Sequence, residues 1–198
     1  MASKLQRFMP LAYNLIVGLG NPTSEYELTR HNAGFWFVDE VACRYGLSFR
    51  SDARSQSLLA TMDINGERVY LLKPMKYMNR SGDSVAALAS YYKISTSKIL
   101  IAHDELDLPP GVVRLKVGGG HGGHNGLRDI IAKLGSADFT RIRFGIGHPG
   151  NRNDVVDYVL HRPSIGDREL LLGAVERSIE FIPQILSGGL DKAMNALH

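Results

Sequence analysis

Histidine, aspartate and asparagine occur in short polar groups of this sequence, and together they provide side chains for acid–base chemistry on a bound ligand. A histidine changes its charge near neutral pH, so it can take a proton from a water molecule. His31 stands between Arg30 and Asn32, and Asp104 is a carboxylate that could hold its imidazole in one tautomer. We therefore predict that His31 is a general base and that Asp104 is its partner. The other side chains of these groups are Asn21, Tyr26, Tyr77 and Asn79.

A short apolar strand and the loop after it must position the first of these groups. The run 14–17 contains Leu, Ile and Val, and the turn-forming sequence Gly20-Asn21-Pro22 follows it. A helical pattern of apolar residues then covers 32–45, so Asn21 and His31 lie at the two ends of one loop. In open α/β sheets, ligands bind at loops beyond the carboxyl ends of strands. We therefore expect a ligand site at this loop.

The remaining strands and helices alternate along the chain, apart from one hairpin. Asn65-Gly66 separates two strand-like runs and is a strong hairpin signal. The apolar strand 98–102 ends at His103 and Asp104, which brings the carboxylate to the rim of the sheet. This order predicts an α/β fold, a single-domain three-layer sandwich with a mixed, mostly parallel sheet. The further predicted strands are 58–64, 68–72, 112–117 and 140–147, and the further predicted helices are 85–92, 127–134, 155–160, 164–187 (with strain at Pro183) and 190–197.

A glycine-rich segment joins the strand 112–117 to the next helix. Five of the six residues from Gly118 to Gly123 are glycine, and each loses much backbone entropy when it becomes ordered. Such a segment indicates that a ligand comes close to the backbone. The helix after it begins near Asn125, where free amides and the positive end of the helix dipole face the same space.

The composition is that of an ordinary globular protein, with 198 residues, 44% of them hydrophobic and 22% charged. We predict a head at 1–13 that is extra and flexible, and a single catalytic α/β domain at 14–198. The head lacks the apolar core of a signal peptide, and no run is long enough to span a bilayer, so we expect a cytoplasmic protein. The net charge of +3 is compatible with a polyanionic partner but does not require one.

Cys43 is the single cysteine of the sequence, so an internal disulfide is excluded. A reducing compartment agrees with this cysteine usage. Because Cys43 lies within the first helical pattern, we expect it to be a small residue of the core.

Nucleotide-binding and nucleophile motifs match poorly. Gly18-Leu19-Gly20 follows a strand, but Thr23 stands where a dinucleotide fingerprint needs its third glycine. The second glycine segment lacks the Gly-Lys-Ser/Thr ending of a phosphate-binding P-loop. No Gly-x-Ser-x-Gly elbow is present, which leaves a base that acts on water without a protein nucleophile.

Histidines near strand and loop ends raise the alternative of a metal site. The sequence has no His-Glu-x-x-His helix, and a glycine-rich loop lacks the rigidity that ligand geometry needs. We instead expect these histidines to be solvated or to donate hydrogen bonds to the backbone. The histidines are His103, His121, His124 and His148, and Asp104 would be a further ligand in the metal alternative.

Six segments together resemble the bacterial peptidyl-tRNA hydrolase family, and the resemblance extends from about Leu15 almost to the last residue. The glycine-rich segment and the His-Asp-Glu-Leu-Asp segment are highly specific in combination. The segments are VGLGNP (17–22, with Tyr26), TRHNAG (29–34), MNRSG (78–82), AHDELDLPPG (102–111), GGGHGGHNGL (118–127) and RFGIGHP (143–149).

The resemblance implies hydrolysis of the ester between a nascent peptide and the terminal ribose of tRNA. It also implies a metal-free, usually monomeric, cytosolic enzyme with no cofactor, no membrane association and no stable protein partner. His31 would be the general base and Asp104 its partner. The implied substrate-binding residues are Asn21, Asn79 and Asn125, with Tyr26 and Tyr77 lining the groove, and the implied clamp for the tRNA 5′ phosphate is Lys116 and Arg143.

Two alternatives from other classes remain open at this point. One is an RNA-binding module without catalysis, which would have no need for His31 opposite Asp104. The other is a metallohydrolase. Cleavage of a peptidyl-tRNA separates the first alternative from the enzyme, and metal analysis of the purified protein separates the second.

Overall fold

A computed structural model describes residues 10–64 and 66–198. Within them, the chain forms one seven-stranded sheet with the order β2-β3-β4-β1-β5-β7-β6. The four central strands β4, β1, β5 and β7 run parallel, and the antiparallel pairings are those of β2 with β3 and β3 with β4 on one side and of β6 with β7 on the other. The mixed, mostly parallel sheet is therefore confirmed. The strands are β1 Leu15–Gly18, β2 Arg50–Asp52, β3 Ser57–Ile64, β4 Glu67–Pro74, β5 Ile99–Glu105, β6 Val113–Val117 and β7 Thr140–Gly145.

Helices cover both faces of the sheet, which gives the predicted three layers. Alternation along β1 sends Ile16 into the core under α1, α5, α6 and α7, and sends Leu15 and Val17 into the core under α2 and α3. None of these helices has the length and hydropathy that crossing a bilayer requires. The helices are α1 Ala33–Arg44, α2 Ser81–Tyr92, α3 Asn125–Leu134, α4 Val155–Leu160, α5 Ile165–Glu180, α6 Ile182–Leu186 and α7 Leu190–Leu197.

A close approach between backbone segments fixes the start of α1 against the sheet. A Cβ atom added at Gly34 would lie 2.2 Å from the carbonyl oxygen of Ala102, and one added at Gly18 would lie 2.3 Å from the carbonyl oxygen of Gly34. Only glycine allows these contacts. As a result, the turn that precedes α1 is held directly over the carboxyl ends of β1 and β5.

Several element boundaries differ from the prediction. β5 continues to Glu105, three residues beyond the apolar run, and β7 ends at Gly145. β2 was not predicted, because its sequence Arg-Ser-Asp is polar and its residues lie at the sheet edge. The pattern 164–187 forms two helices, because Pro183 lies in the first turn of α6, where a proline is tolerated.

The packing corrects the expectation for Cys43, which is exposed. The core face of α1 carries Phe37, Val38, Val41 and Ala42, and the next residue along a helix is turned by about 100° away from its predecessor. Helical periodicity was correct here, but the expected face was wrong.

Two further predictions fall partly outside the described residues. Residues 1–9 of the predicted head lie outside the described residues, whereas Leu11 and Tyr13 are buried, and the Tyr13 hydroxyl lies 2.8 Å from Thr140 Oγ1. The segment 11–13 therefore packs onto the domain. Asn65 of the predicted turn also lies outside the described residues, but β3 and β4 pair antiparallel up to Ile64 and Glu67, as a two-residue hairpin requires.

Candidate active site

The loops after β1, β4 and β5 lie at the carboxyl edge of the parallel strands, the glycine-rich segment after β6 reaches them from the opposite edge, and together they line a cleft of about 370 Å³. This is where an open α/β sheet binds its ligands. The structure brings together all the site residues that the sequence predicts. The cleft is lined by Asn21, Tyr26, His31, Tyr77, Asn79, Asp104, Lys116, Asn125 and Arg143.

His31 and Asp104 form a buried hydrogen-bonded pair at the base of the cleft. His31 lies in the 3₁₀ turn Arg30–Asn32 just before α1, and Asp104 lies near the end of β5. His31 Nδ1 is 2.9 Å from Asp104 Oδ1 and 3.0 Å from Oδ2. Burial of Asp104 favours its neutral form, but the imidazoles of His31 and His124 outweigh that effect and hold the pKa of the carboxyl well below its usual range. Asp104 is therefore a carboxylate at neutral pH.

His124 is the second imidazole on the same carboxylate. Its Nε2 lies 3.0 Å from Asp104 Oδ1, and its Nδ1 accepts a hydrogen bond of 3.3 Å from the backbone N–H of Leu127, at the start of α3. The side chain is 9% exposed. The expectation of a solvated loop histidine, or of a donor to the backbone, is therefore wrong for His124, because the glycine-rich segment folds its imidazole inward.

These contacts define the tautomers of both histidines. An N–H of Leu127 can approach His124 Nδ1 only if that nitrogen carries a lone pair, so the proton of His124 is on Nε2 and points to Asp104. Both hydrogen bonds of His31 use Nδ1, which leaves its Nε2 lone pair unused within residues 10–64 and 66–198. Of the two imidazoles, His31 is the one with a nitrogen available to accept a proton.

His103 precedes Asp104 on β5 and is fully buried beside it. Its Nδ1 donates to the carbonyl oxygen of Asp104 over 2.7 Å, as the sequence predicts. Burial, helped by the nearby His124, lowers the pKa of His103 to about 3, so its imidazole is neutral at physiological pH. His121 and His148 also bond to the backbone, but as acceptors from the N–H groups of Gly123 and Gly150.

Asn21 connects the first two loops of the cleft. Its side-chain Oδ1 accepts from the backbone N–H of Met78 over 2.8 Å. Its own backbone N–H and carbonyl are both bound by the side chain of Asn32, at 2.8 and 3.0 Å. Asn32 was not predicted as a site residue, although its position directly after His31 was the available signal. Among the described residues, the amide nitrogen of the Asn21 side chain has no partner, so it is available to a ligand.

The other predicted ligand-binding residues are more accessible. Tyr77 is 55% exposed, and Asn79 is exposed on the 3₁₀ turn after it. Asn125 is exposed as the first residue of α3. Exposed amides and phenols on the rim suit a large ligand that enters from solvent.

Basic side chains of β6 and β7 form another wall of the cleft. Arg143 donates from Nε to Glu105 Oε2 over 2.8 Å, which leaves its terminal nitrogens for another partner, and Lys116 is exposed on the neighbouring strand. Arg141 also lines the cleft but was not predicted, because a buried strand arginine cannot be told from a solvated one by sequence pattern.

One group in the cleft has the spacing of metal ligands. His31, Asp104 and His124 each offer an atom, and these atoms lie within 4.8 Å of one another. Three protein ligands with an open position are typical of catalytic zinc sites. Here, however, both nitrogens already make hydrogen bonds of 2.9–3.0 Å to the carboxylate. The metal site that the sequence raised as an alternative, and disfavoured, was a different group, since it included His103, His121 and His148.

The fold and the site define the class as an α/β protein with a buried His–Asp pair in an open cleft, which is an arrangement suited to hydrolysis. The family model described as Peptidyl-tRNA hydrolase matches residues 15–198. The chain belongs to the peptidyl-tRNA hydrolase family.

Curated relatives and solved structures agree over almost the whole chain. The peptidyl-tRNA hydrolase of Neisseria meningitidis serogroup A is 53% identical over 184 residues, which cover 93% of this chain and 96% of the relative. That of Legionella pneumophila (strain Lens) is 51% identical, with 95% and 100% covered. The crystal structure of the peptidyl-tRNA hydrolase from Acinetobacter baumannii is 47% identical, with a TM-score of 0.91 and 96% of each chain covered.

Proposed function

We propose that this protein hydrolyses the ester bond that joins the peptide to tRNA in peptidyl-tRNA, and that His31 is the general base of the reaction. Family membership supports the reaction. The unused Nε2 lone pair of His31, opposite the Nδ1 that binds Asp104, supports the role of the base.

The chemistry needs no protein nucleophile. His31 Nε2 takes a proton from a water molecule as its oxygen attacks the ester carbonyl. Asp104 then stabilises the imidazolium, and the proton passes to the ribose oxygen as the ester bond breaks. The products are a peptide carboxylate and a free tRNA hydroxyl. Because a general base contributes about 10²–10⁴-fold, binding and oxyanion stabilisation must supply the remainder of the rate enhancement.

The two imidazoles on Asp104 have different roles in this proposal. His124 uses Nε2 as a donor and Nδ1 as an acceptor, so it has no free lone pair. It holds one carboxylate oxygen of Asp104 and caps α3. His31 alone can change its protonation state without breaking a hydrogen bond of the folded protein.

The remaining cleft residues bind the substrate. The amides of Asn21, Asn79 and Asn125 can both donate to and accept from the main chain of a peptide, and Tyr26 and Tyr77 line the groove. Lys116 and Arg143 bind the tRNA 5′ phosphate. We further propose that residues 14–198 act as a single catalytic domain, in the cytoplasm, without a metal ion and without a stable protein partner.

A metal-dependent hydrolysis is the second candidate. The observation that favours it is the ligand spacing of His31, Asp104 and His124. In that case these three residues would hold the ion, which would supply Lewis-acid activation of water, and His31 would be a ligand instead of a base.

The test is turnover of a purified peptidyl-tRNA by the His31→Ala variant, with His148→Ala as the matched control outside the cleft. We expect kcat to fall by at least about 10²-fold for His31→Ala, with tRNA binding retained, because a base acts in the transition state. Chelators should leave the unmodified protein fully active. Near-normal kcat in His31→Ala would contradict the base assignment, and activity that chelation removes and zinc restores would favour the metal.

A further inference from the structure

Arg141 of β7 is a buried cation whose partners are backbone carbonyls. Its side chain lines the cleft, but the residue is only 3% exposed. Nη1 donates to the carbonyl oxygen of Gly120 over 2.6 Å, and Nη2 donates to the carbonyl oxygen of Gly119. Burial of a charge is costly unless hydrogen bonds compensate it. Both terminal nitrogens of Arg141 are thus committed to the glycine-rich segment Gly118–Gly123.

This segment needs attachment, because its sequence resists ordering. Gly118, Gly119, Gly122 and Gly123 have φ angles of +64°, +94°, +56° and +84°. Ordering the backbone of each residue costs about 1–2 kcal/mol of conformational entropy, and glycine has the most freedom to lose.

Few other hydrogen bonds hold the segment. Within the described residues, Gly118 donates to the carbonyl oxygen of Phe139 over 3.0 Å, which ties the first glycine to the chain before β7. The bonds of the Gly123 and His124 N–H groups go to His121, so they are internal to the loop. The middle of the segment is therefore attached to the sheet through Arg141.

The residues that follow the segment are those that complete the site. His124 donates to Asp104, and Asn125 begins α3 at the rim of the cleft. Because a trans peptide directs its N–H opposite to its carbonyl, the bonds to Arg141 also turn the N–H groups of Gly120 and His121 away from β7. The position of this backbone thus depends on its hydrogen bonds to the guanidinium of Arg141.

We propose that Arg141 is a positioning residue of the reaction, which anchors the glycine-rich segment and thereby holds His124 against Asp104 and Asn125 at the cleft. The proposal rests on the proposed function. It separates Arg141 from the neighbouring cations Lys116 and Arg143, whose terminal nitrogens make no hydrogen bond within the part of the chain that the structure describes. Arg141 acts on the protein backbone and not on the tRNA.

The test compares Arg141→Gln and Arg141→Lys with the control Arg177→Gln. Arg177 also donates to a glycine carbonyl, that of Gly111, over 2.7 Å, but it is exposed and outside the cleft. For Arg141→Gln we expect kcat on peptidyl-tRNA to fall about 10–10²-fold, as for small misplacements of catalytic groups, with the tRNA dissociation constant changed less than about twofold. Arg141→Lys keeps the charge and one donor nitrogen, so its kcat should lie between that of Arg141→Gln and that of the unmodified protein. Arg177→Gln should leave kcat unchanged.

Hydrogen exchange of the backbone amides gives a readout that does not depend on activity. In both Arg141 variants we expect faster exchange at the hydrogen-bonded amides of Gly123, His124 and Leu127, and unchanged exchange in β1 and β5. Normal exchange at these three amides would overturn the proposal, as would faster exchange there with an unchanged kcat. Weaker tRNA binding at normal kcat would make Arg141 a phosphate ligand. If Arg141→Gln does not fold, Arg141→Lys decides. The proposed function fails separately, if the unmodified protein does not cleave peptidyl-tRNA.

Discussion

Asp104 accepts hydrogen bonds from two imidazoles, and the state of the other ring nitrogen determines what each imidazole can do. His124 is engaged at both nitrogens, whereas His31 is engaged at one. A hydrogen bond of 3.3 Å from the N–H of Leu127 therefore distinguishes the proposed base from its neighbour. Residue type and proximity to the carboxylate would not have separated them.

Substitution of His124 tests this distinction. We expect His124→Ala to lower kcat about tenfold, because Asp104 loses one donor and α3 loses its cap. His124→Gln, which can still donate to Asp104, should lose less. The measurement is single-turnover cleavage of peptidyl-tRNA. A loss in His124→Ala as large as that in His31→Ala would mean that His124 also takes the proton.

At the residue scale, the sequence predicted the side chains that line the cleft better than those that hold the site together. His31 and Asp104 could be found because a polar group follows each strand. The inward position of His124, the clamp from Asn32 to Asn21 and the anchor at Arg141 depend on how three loops close over one another. The local pattern of residue types along the sequence does not show how these loops pack together.

At the element scale, the contact of α1 with β1 and β5 decides where His31 lies. The backbone N–H of Phe35, in the first turn of α1, donates to the carbonyl oxygen of Leu19 over 3.2 Å. The N–H of Leu19 donates in turn to the carbonyl oxygen of Ala102 over 3.0 Å. His31 and Asp104 are thus placed by backbone contacts that extend across two strands.

Gly34→Ala should disturb both stability and activity. The added methyl group would meet the Ala102 carbonyl at 2.2 Å, so α1 must move away from the sheet. We expect a loss of about 1–3 kcal/mol in the free energy of unfolding and a lower kcat, since His31 moves with α1. Denaturant melts and kinetics measure the two effects.

Gly173→Ala in α5 is the matched control. Its Cβ would have 3.6 Å to the nearest atom, Arg177 Nη1, so the helix gains propensity without a clash. We expect unchanged kcat and a gain of about 0.5–1 kcal/mol in stability. Equal stability effects in the two variants would refute the close approach as the reason for Gly34.

The elements that the sequence predicted best are those with continuous apolar runs. β1 and the first part of β5 are buried on both faces, which leaves a clear pattern. The polar residues at the end of β5 and the whole of β2 pair in the sheet without adding apolar residues to the pattern. Such segments become strands because of the neighbouring strands with which they pair.

At the scale of the whole molecule, the placement of the cations matters more for binding a polyanion than the small net charge does. The net charge of +3 is too small to attract tRNA from all directions, so local placement of cations matters. Lys116 and Arg143 lie on adjacent strands of the same cleft. The wall that they form is the place where phosphate contacts are expected.

Salt dependence measures these contacts. Lys116→Ala or Arg143→Ala should weaken binding of all tRNAs alike and leave kcat nearly unchanged. Each should also lower the slope of log K against log salt by about one unit or slightly less. Lys192→Ala, on the exposed face of α7, is the control and should leave the slope intact. An unchanged slope and an intact preference for the 5′ phosphate in the double variant would remove the clamp from the proposal.

Acid stability depends on His103. Its folded pKa of about 3 lies below the ordinary histidine value of 6.5, so the folded protein binds fewer protons than the unfolded chain between these values. Stability from this group is complete above about pH 6.5 and is lost as the pH falls towards 3. Burial lowers the pKa of His198 too, so that group acts in the same direction, and Asp104 adds its own loss at lower pH.

We expect the free energy of unfolding of His103→Asn to depend less on pH in this range, because about one proton fewer is taken up on unfolding. Asparagine can keep the donor to the Asp104 carbonyl while it removes the titrating ring. Denaturant melts between pH 7 and 4.5 measure the slope. Identical slopes in the variant and the unmodified protein would contradict the assignment.

The carboxylate shared by two imidazoles also has a spectroscopic consequence. The protons on His31 Nδ1 and His124 Nε2 both point at Asp104 and are sheltered from solvent, so both should be visible as separate downfield proton resonances that disappear in Asp104→Asn. A divalent cation could bind this carboxylate and both nitrogens only by displacing the two protons. Zinc bound at these nitrogens would move each ring proton to the other nitrogen of its imidazole, so the two resonances would vanish together. The same pair of signals therefore reports on the base and on any metal that competes with it.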